Sequence, residues 1–160
     1  MMQKILVSAC LLGEPVRYDG KSLRLENALL QQWRDEQRLI AFCPEVAGGL
    51  PTPRIAAEIN HGDGHDVLEQ TADVIDRSGQ NVSAQFIKGA KQALALCQQH
   101  DIRLAILSAR SPSCGHGQIY DGRFRGVLKN GSGVTAALLQ QHGIQVFDQF
   151  NIEQVAALLQ

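Results

Sequence analysis

The chain has 160 residues, which fits one ordinary domain with a sizeable core. Lys and Arg number 15 and Asp and Glu number 16, so the net charge of -1 excludes the strongly basic surface that duplex binding usually needs. Hydrophobic residues make up 44% of the chain, and their longest runs are too short to span a membrane. We therefore expect a soluble globular protein without a nucleic-acid or membrane partner.

Segments of strand-like and helical pattern alternate along the chain. In chain order they predict a strand at 4–9, a helix at 25–33, a strand at 39–42, a helix at 82–99, a strand at 104–107, a helix at 134–141, a strand at 145–147 and a helix at 151–159. This alternation predicts an α/β fold. We expect a single domain over residues 1–160, with a mainly parallel sheet flanked by helices in a Rossmann-like three-layer sandwich.

Three stretches have no clear periodicity. A further strand is predicted within 67–76, where the pattern is mixed. Segments 48–66 and 111–132 are rich in glycine and proline and are predicted to be long irregular loops. Loops of this length in a compact domain are often functional.

The N-terminal segment favours a cytoplasmic protein. Its apolar run, Ile5 to Val7, is shorter than the apolar core of a signal peptide. Because the cytoplasm is reducing, the four cysteines are expected to be thiols, metal ligands or a nucleophile rather than two disulfides.

Three of the cysteines follow predicted strands. Cys10 comes after the first strand, Cys43 after the second, and Cys114 lies in the loop after the third. The carboxyl ends of parallel strands form the edge of an open α/β sheet at which ligands bind, so we expect the three thiols to share one pocket. Cys97 lies instead on the apolar face of the helix predicted at 82–99, which is typical of a core residue.

Three thiolates in one pocket suit a centre that contains a soft metal, and the sequence leaves several kinds of site open. An iron-sulfur cubane with three protein ligands leaves one iron open to a substrate, whereas zinc needs a fourth ligand, for which His116 is the candidate. A closed zinc site of this kind would be structural. Alternatively, Cys114 or Cys10 is a nucleophile activated by Arg110 or Arg17. A cluster-bearing carrier or sensor without catalysis is a further alternative.

Several short motifs occur in order from residue 8 onward. They are SACLLG (8–13) with RYDG (17–20), CPE (43–45) with GGL (48–50) and PR (53–54), FIKGA (86–90), SPSCG (111–115), IYDG (119–122) and GSGVTA (131–136). Together they resemble the thiouracil desulfurase (desulfidase) family of iron-sulfur proteins, formerly a domain of unknown function.

The resemblance implies a specific chemistry and site. Cys10, Cys43 and Cys114 would hold a 4Fe-4S cluster with one open iron. The activity would be the non-redox removal of sulfur from 2-thiouracil or a related small thiocarbonyl, with a uracil-type product and hydrogen sulfide. Glu45 and Ser111 would be the acid–base and substrate-positioning groups. The implied partners are a small thio-base substrate and the cluster assembly machinery.

The position of Glu45 is consistent with this role. It follows Cys43 by two residues and can therefore reach the same pocket. Burial beside anionic sulfur would raise the pKa of its carboxyl toward the range that is useful for proton transfer.

Overall fold

The computed structural model describes residues 2–159. The strands are β1 (Ile5–Ser8), β2 (Leu39–Phe42), β3 (Ala57–Asn60), β4 (Asp73–Asp76), β5 (Leu104–Ile106), β6 (Gln118–Tyr120), β7 (Leu128–Asn130) and β8 (Gln145–Phe147). The helices are α1 (Ala28–Asp35), α2 (Pro44–Ala47), α3 (Gly64–Leu68), α4 (Ser83–Gln99), α5 (Val134–Gln141) and α6 (Ile152–Leu158). Within residues 2–159, no helix is long and apolar enough to cross a membrane.

Four parallel strands form the central sheet, in the order β2-β1-β5-β8. Successive side chains of a strand alternate between the two faces of the sheet. Ile5 and Val7 of β1 therefore pack in the same cluster as residues of α1 and α6, whereas Leu6 packs with α4 and α5. Helices cover both faces, which confirms the predicted three-layer α/β fold.

The winding of the chain reverses between β1 and β5. From β1 the chain passes through α1 to β2, at one edge of the sheet. From β5 it passes through α5 to β8, at the opposite edge. The connections leave the two central strands in opposite lateral directions, so a crevice forms beyond their carboxyl ends. In sheets of this kind that crevice is where ligands bind.

The two predicted loops contain regular structure, so that prediction is wrong in part. Segment 48–66 includes β3, and segment 111–132 includes β6 and β7. The strand predicted within 67–76 is confirmed only as β4, which pairs with β3. Both pairs, β3 with β4 and β6 with β7, are separate antiparallel sheets. Strands β3, β6 and β7 have no more than two buried residues each, so they lack the continuous apolar run that identifies a strand such as β1.

The first helix begins three residues later than predicted. The Asn27 side chain accepts the backbone N–H groups of Leu29 and Leu30 at 2.9 and 3.1 Å. An asparagine in this position satisfies N–H groups that have no partner inside the helix, so the helix begins at Ala28.

Helix α2 packs closely against α4 at two glycines. A Cβ atom at Gly89 would overlap with the carbonyl oxygen of Pro44, and a Cβ atom at Gly48 would overlap with that of Gln85. Only glycine permits this approach of the two backbones. The contact fixes the segment 43–45, at the start of α2, relative to the long helix.

We expect Gly89→Ala to lower the free energy of unfolding by about 1–3 kcal/mol, because the added methyl group forces α2 and α4 apart. Helix propensity alone predicts the opposite sign, since alanine is favoured over glycine inside a helix by about 1 kcal/mol. Urea denaturation measures the change. Ala95→Gly, at an exposed position of the same helix, measures how much helix propensity alone changes the free energy of unfolding. A stabilising Gly89→Ala substitution would contradict the importance of this contact.

Candidate functional site

A cavity of about 560 Å³ lies at the carboxyl ends of the central strands. Cys10, Cys43 and Cys114 all line it, and so do Glu45 and Ser111. The structure therefore brings the five candidate site residues to one place, although they come from three distant parts of the chain. Cys97 is buried in the core between α4 and the sheet, as its helical position indicates.

Cys10 lies in a short 3-10 helix, Ala9–Leu12, that directly follows β1. This turn ends at Gly13, whose φ of 98° belongs to the left-handed region that favours glycine. The backbone N–H of Gly13 donates to the carbonyl oxygen of Cys10 at 3.3 Å, and that of Leu23 donates to the same oxygen at 2.9 Å. These bonds hold Cys10 at the end of the first strand.

Cys43 directly precedes α2, and Pro44 occupies the first helical position. Proline is well suited to this position because its fixed φ matches the helix and its missing N–H would have no helical partner. The thiol of Cys43 is half-buried and lies 3.9 Å from the carbonyl oxygen of Val16. The second cysteine is thus held by the same helix that packs on α4.

Cys114 lies in a loop that is tied to the start of α5. Its backbone N–H donates to Oγ of Ser111 at 2.7 Å, and the N–H of Gly115 donates to the carbonyl oxygen of Ser111 at 2.9 Å. Ser113 and Thr135 share a hydrogen bond of 2.9 Å between their hydroxyl groups. The third cysteine is therefore held by hydrogen bonds within its own loop and by the bond from that loop to Thr135 in α5.

Burial raises the pKa of each cavity thiol above its ordinary value. For Cys114 burial is the largest effect and raises the pKa to about 12, against the opposing effect of a hydrogen bond from Ser8. Burial is also the main reason that the pKa values of Cys10 and Cys43 are raised. Thiolates are favoured in such a place when a bound metal compensates for the lost hydration.

Glu45 is held at the cavity wall by an ion pair with Arg54. Nε of Arg54 lies 3.1 Å from Oε1 of Glu45, and the two side chains are only 6% and 17% exposed. Arg54 also donates from Nη2 to the carbonyl oxygen of Val16 at 2.9 Å. Burial raises the pKa of the Glu45 carboxyl, whereas Arg54 lowers it. The arginine therefore fixes a carboxylate that water reaches only in part.

The cavity wall also contains two pairs of an arginine and an aromatic ring. Arg77 lies over the ring of Phe124 at 5.1 Å, and Arg110 lies over the ring of Phe150 at 5.7 Å. Of these residues, only Arg110 is a candidate from the sequence alone. Arg77 follows β4, and Phe124 lies in the loop between β6 and β7. Arg77 and Phe124 reach the cavity through the two small antiparallel sheets, whose placement is a tertiary arrangement, so no local sequence signal identifies these two residues.

Glu58 in β3 anchors the loop that carries Phe124. Its Oε1 accepts the backbone N–H of Gly122 at 3.0 Å and that of Phe124 at 3.2 Å. Lys129 in β7 adds a second link, because its Nζ donates to the carbonyl oxygens of Ile59 and Gly62. The two small sheets are thus joined side by side along one wall of the cavity.

His116 does not lie with the cysteines. It lines a different depression, together with Gly143 and Asn151, and this placement does not favour the zinc alternative. Among residues 2–159, no three Cys, His, Asp or Glu side chains are close enough together to hold a single metal ion. A cluster distributes its ligands over separate irons, so its cysteines are spaced more widely than the ligands of one ion.

A family model and two known proteins are similar to most of this chain. The family model of 2-thiouracil desulfurase matches residues 5–151. An uncharacterized protein of Bacillus subtilis (strain 168), YbbK, is 42% identical over 151 residues, covering 94% of this chain and 99% of that protein. The solved structure of a [4Fe-4S]-dependent thiouracil desulfidase, TudS, is 50% identical with a TM-score of 0.89, covering 97% of this chain and 96% of that one. The chain therefore belongs to the 2-thiouracil desulfurase family.

Proposed function

We propose that this protein is an enzyme that removes sulfur from 2-thiouracil or a related small thiocarbonyl without net electron transfer. Water supplies the oxygen that replaces the sulfur, and the products are a uracil-type carbonyl compound and hydrogen sulfide. Family membership supports this activity. The observation that carries the proposal is that Cys10, Cys43 and Cys114, which are distant along the chain, line one cavity.

The donor set of the cavity fits a 4Fe-4S cluster. Cysteine thiolates are the usual ligands of iron-sulfur clusters, and the similar protein TudS is described as [4Fe-4S]-dependent. Cys10, Cys43 and Cys114 would each hold one iron, which leaves one iron for the substrate. When bound, the cluster supplies a Lewis acid with affinity for sulfur that polarises the carbon of the thiocarbonyl group.

Glu45 and Ser111 provide the other proposed functions. The Glu45 carboxylate, fixed by Arg54 at the cavity wall, moves a proton between water and the reacting group. Oγ of Ser111 accepts a hydrogen bond from the backbone N–H of Cys114. This bond uses a lone pair of the hydroxyl oxygen, so the hydroxyl hydrogen stays available to orient the substrate ring.

We also propose that residues 1–160 act as a single thiouracil-desulfurase-like domain in the cytoplasm. The four free cysteines suit a reducing compartment, and the net charge of -1 gives no reason to expect a nucleic-acid partner. The cluster would be supplied by the cell's cluster assembly machinery. The only other partner in this proposal is the small thio-base substrate.

Anaerobic reconstitution followed by an assay with 2-thiouracil tests the function. We expect a coloured protein with about four irons and four sulfides per chain, which converts 2-thiouracil to uracil and releases one sulfide for each product. A colourless protein with one zinc and no sulfide release would favour the structural alternative. A stable cluster without desulfuration of any thio-base would favour a carrier or sensor.

A further inference from the structure

Two buried serines line the cavity where β1 and β5 end. Ser8 is 3% exposed and Ser108 is 8% exposed. Oγ of Ser8 accepts the backbone N–H of Ser108 at 2.8 Å. Ser8 in turn donates to Sγ of Cys114 at 3.5 Å. Ser8 therefore connects the end of β1 both to the chain that follows β5 and to one of the three cysteines.

The hydrogen-bond directions at Ser8 follow from the chemistry of a hydroxyl group. Its oxygen accepts the N–H of Ser108 and its single hydrogen must then be donated elsewhere. Sγ of Cys114 is the acceptor. A buried serine next to Cys114 does not have to donate to its sulfur. Ser113 precedes Cys114 directly, yet its hydroxyl bonds to that of Thr135.

We propose that Ser8 is a positioning residue of the cluster site, which donates a hydrogen bond to the ligand sulfur of Cys114. This inference rests on the proposed function, since it requires Cys114 to be a ligand. Partners of this kind orient metal ligands, and hydrogen bonds to cysteine sulfur raise the reduction potential of iron-sulfur centres. Each bond withdraws electron density from the sulfur, which leaves the attached metal a stronger Lewis acid.

Reduction potential is the readout, because a merely structural serine would not change it. Wild-type protein and Ser8→Ala are reconstituted anaerobically, and the cluster is titrated with a reductant while its EPR signal is followed. In Ser8→Ala we expect iron content to be retained and the potential to become more negative, because the reduced cluster loses a hydrogen bond. At the wild-type midpoint, the ratio of reduced to oxidised cluster should fall about fivefold, the equilibrium factor of one net hydrogen bond.

Ser132→Ala is the matched control, since it removes another buried hydroxyl, which bonds to Gln140 rather than to sulfur. We expect it to keep the wild-type potential. If Ser8→Ala does not fold because the Ser108 N–H loses its acceptor, Ser8→Cys decides the question, since its sulfur still accepts that N–H whereas its S–H is only a weak donor. An unchanged potential in the Ser8 variant that folds, with a full cluster present, would overturn this inference and leave the proposed function standing. A wild-type chain that binds no cluster would overturn both.

Discussion

Alanine in place of Cys10, Cys43 or Cys114 is expected to abolish cluster binding and desulfuration together. The three sulfurs line the same cavity and each would hold a different iron, so none can substitute for another. The loss of activity should exceed the roughly 10- to 100-fold that removal of a hydrogen-bond partner around a metal site costs. Iron and sulfide content, the visible absorption of the cluster and the rate of uracil formation measure the effect.

Cys97→Ala is the matched control for these variants. Cys97 is 1% exposed and lies in the core between α4 and the sheet, away from the cavity. We expect a coloured and active protein that loses about 1 kcal/mol of stability, a typical result for a small change in the core. If only one of the three cavity cysteines proves essential, the nucleophile alternative with Cys114 or Cys10 replaces the cluster.

Glu45→Gln is expected to lower kcat by roughly 10²–10⁴-fold while the cluster content stays at the wild-type level. Glutamine keeps the size of the side chain and an oxygen that can accept the hydrogen bond from Arg54. It cannot take up and release the proton that the proposed reaction needs. Steady-state kinetics with 2-thiouracil, combined with iron analysis, separates the loss of proton transfer from the loss of cofactor.

A second carboxylate of the same cavity provides the control for Glu45. The Glu58 side chain accepts two backbone N–H groups of the loop at 121–127, a function that glutamine oxygen also performs. We therefore expect Glu58→Gln to change kcat by less than about tenfold, well short of the loss of a general acid or base. A Glu45→Gln enzyme with a full cluster and near wild-type kcat would exclude Glu45 from the acid–base role.

The central layer of the fold could be predicted because its elements carry strong patterns. All four residues of β1 are buried, and the first three form an unbroken apolar run that is followed by Ser8. Helix α4 repeats its buried residues with helical spacing, as Phe86, Ala90, Ala93 and Cys97 show. By contrast, β7 has no buried residue, so neither composition nor alternation distinguishes it from a loop.

The candidate site could be predicted in part for a similar reason. Cys10 and Cys43 follow strands whose carboxyl ends meet in any parallel sheet, so their proximity depends on topology alone. Arg77 and Phe124 reach the cavity because Glu58 and Lys129 hold the two small sheets side by side, a tertiary arrangement without a local sequence signal. Proximity in sequence was misleading for His116, which lies two residues from Cys114 but lines another depression.

The three cysteines are anchored independently of one another. The first is held by the turn that ends at Gly13, the second by a helix pressed onto α4 at Gly48 and Gly89, and the third by hydrogen bonds between its loop and the start of α5. Each anchor is a contact within the protein and involves a different helix or turn. A substitution that loosens one anchor should consequently displace a single sulfur and leave the other two in position.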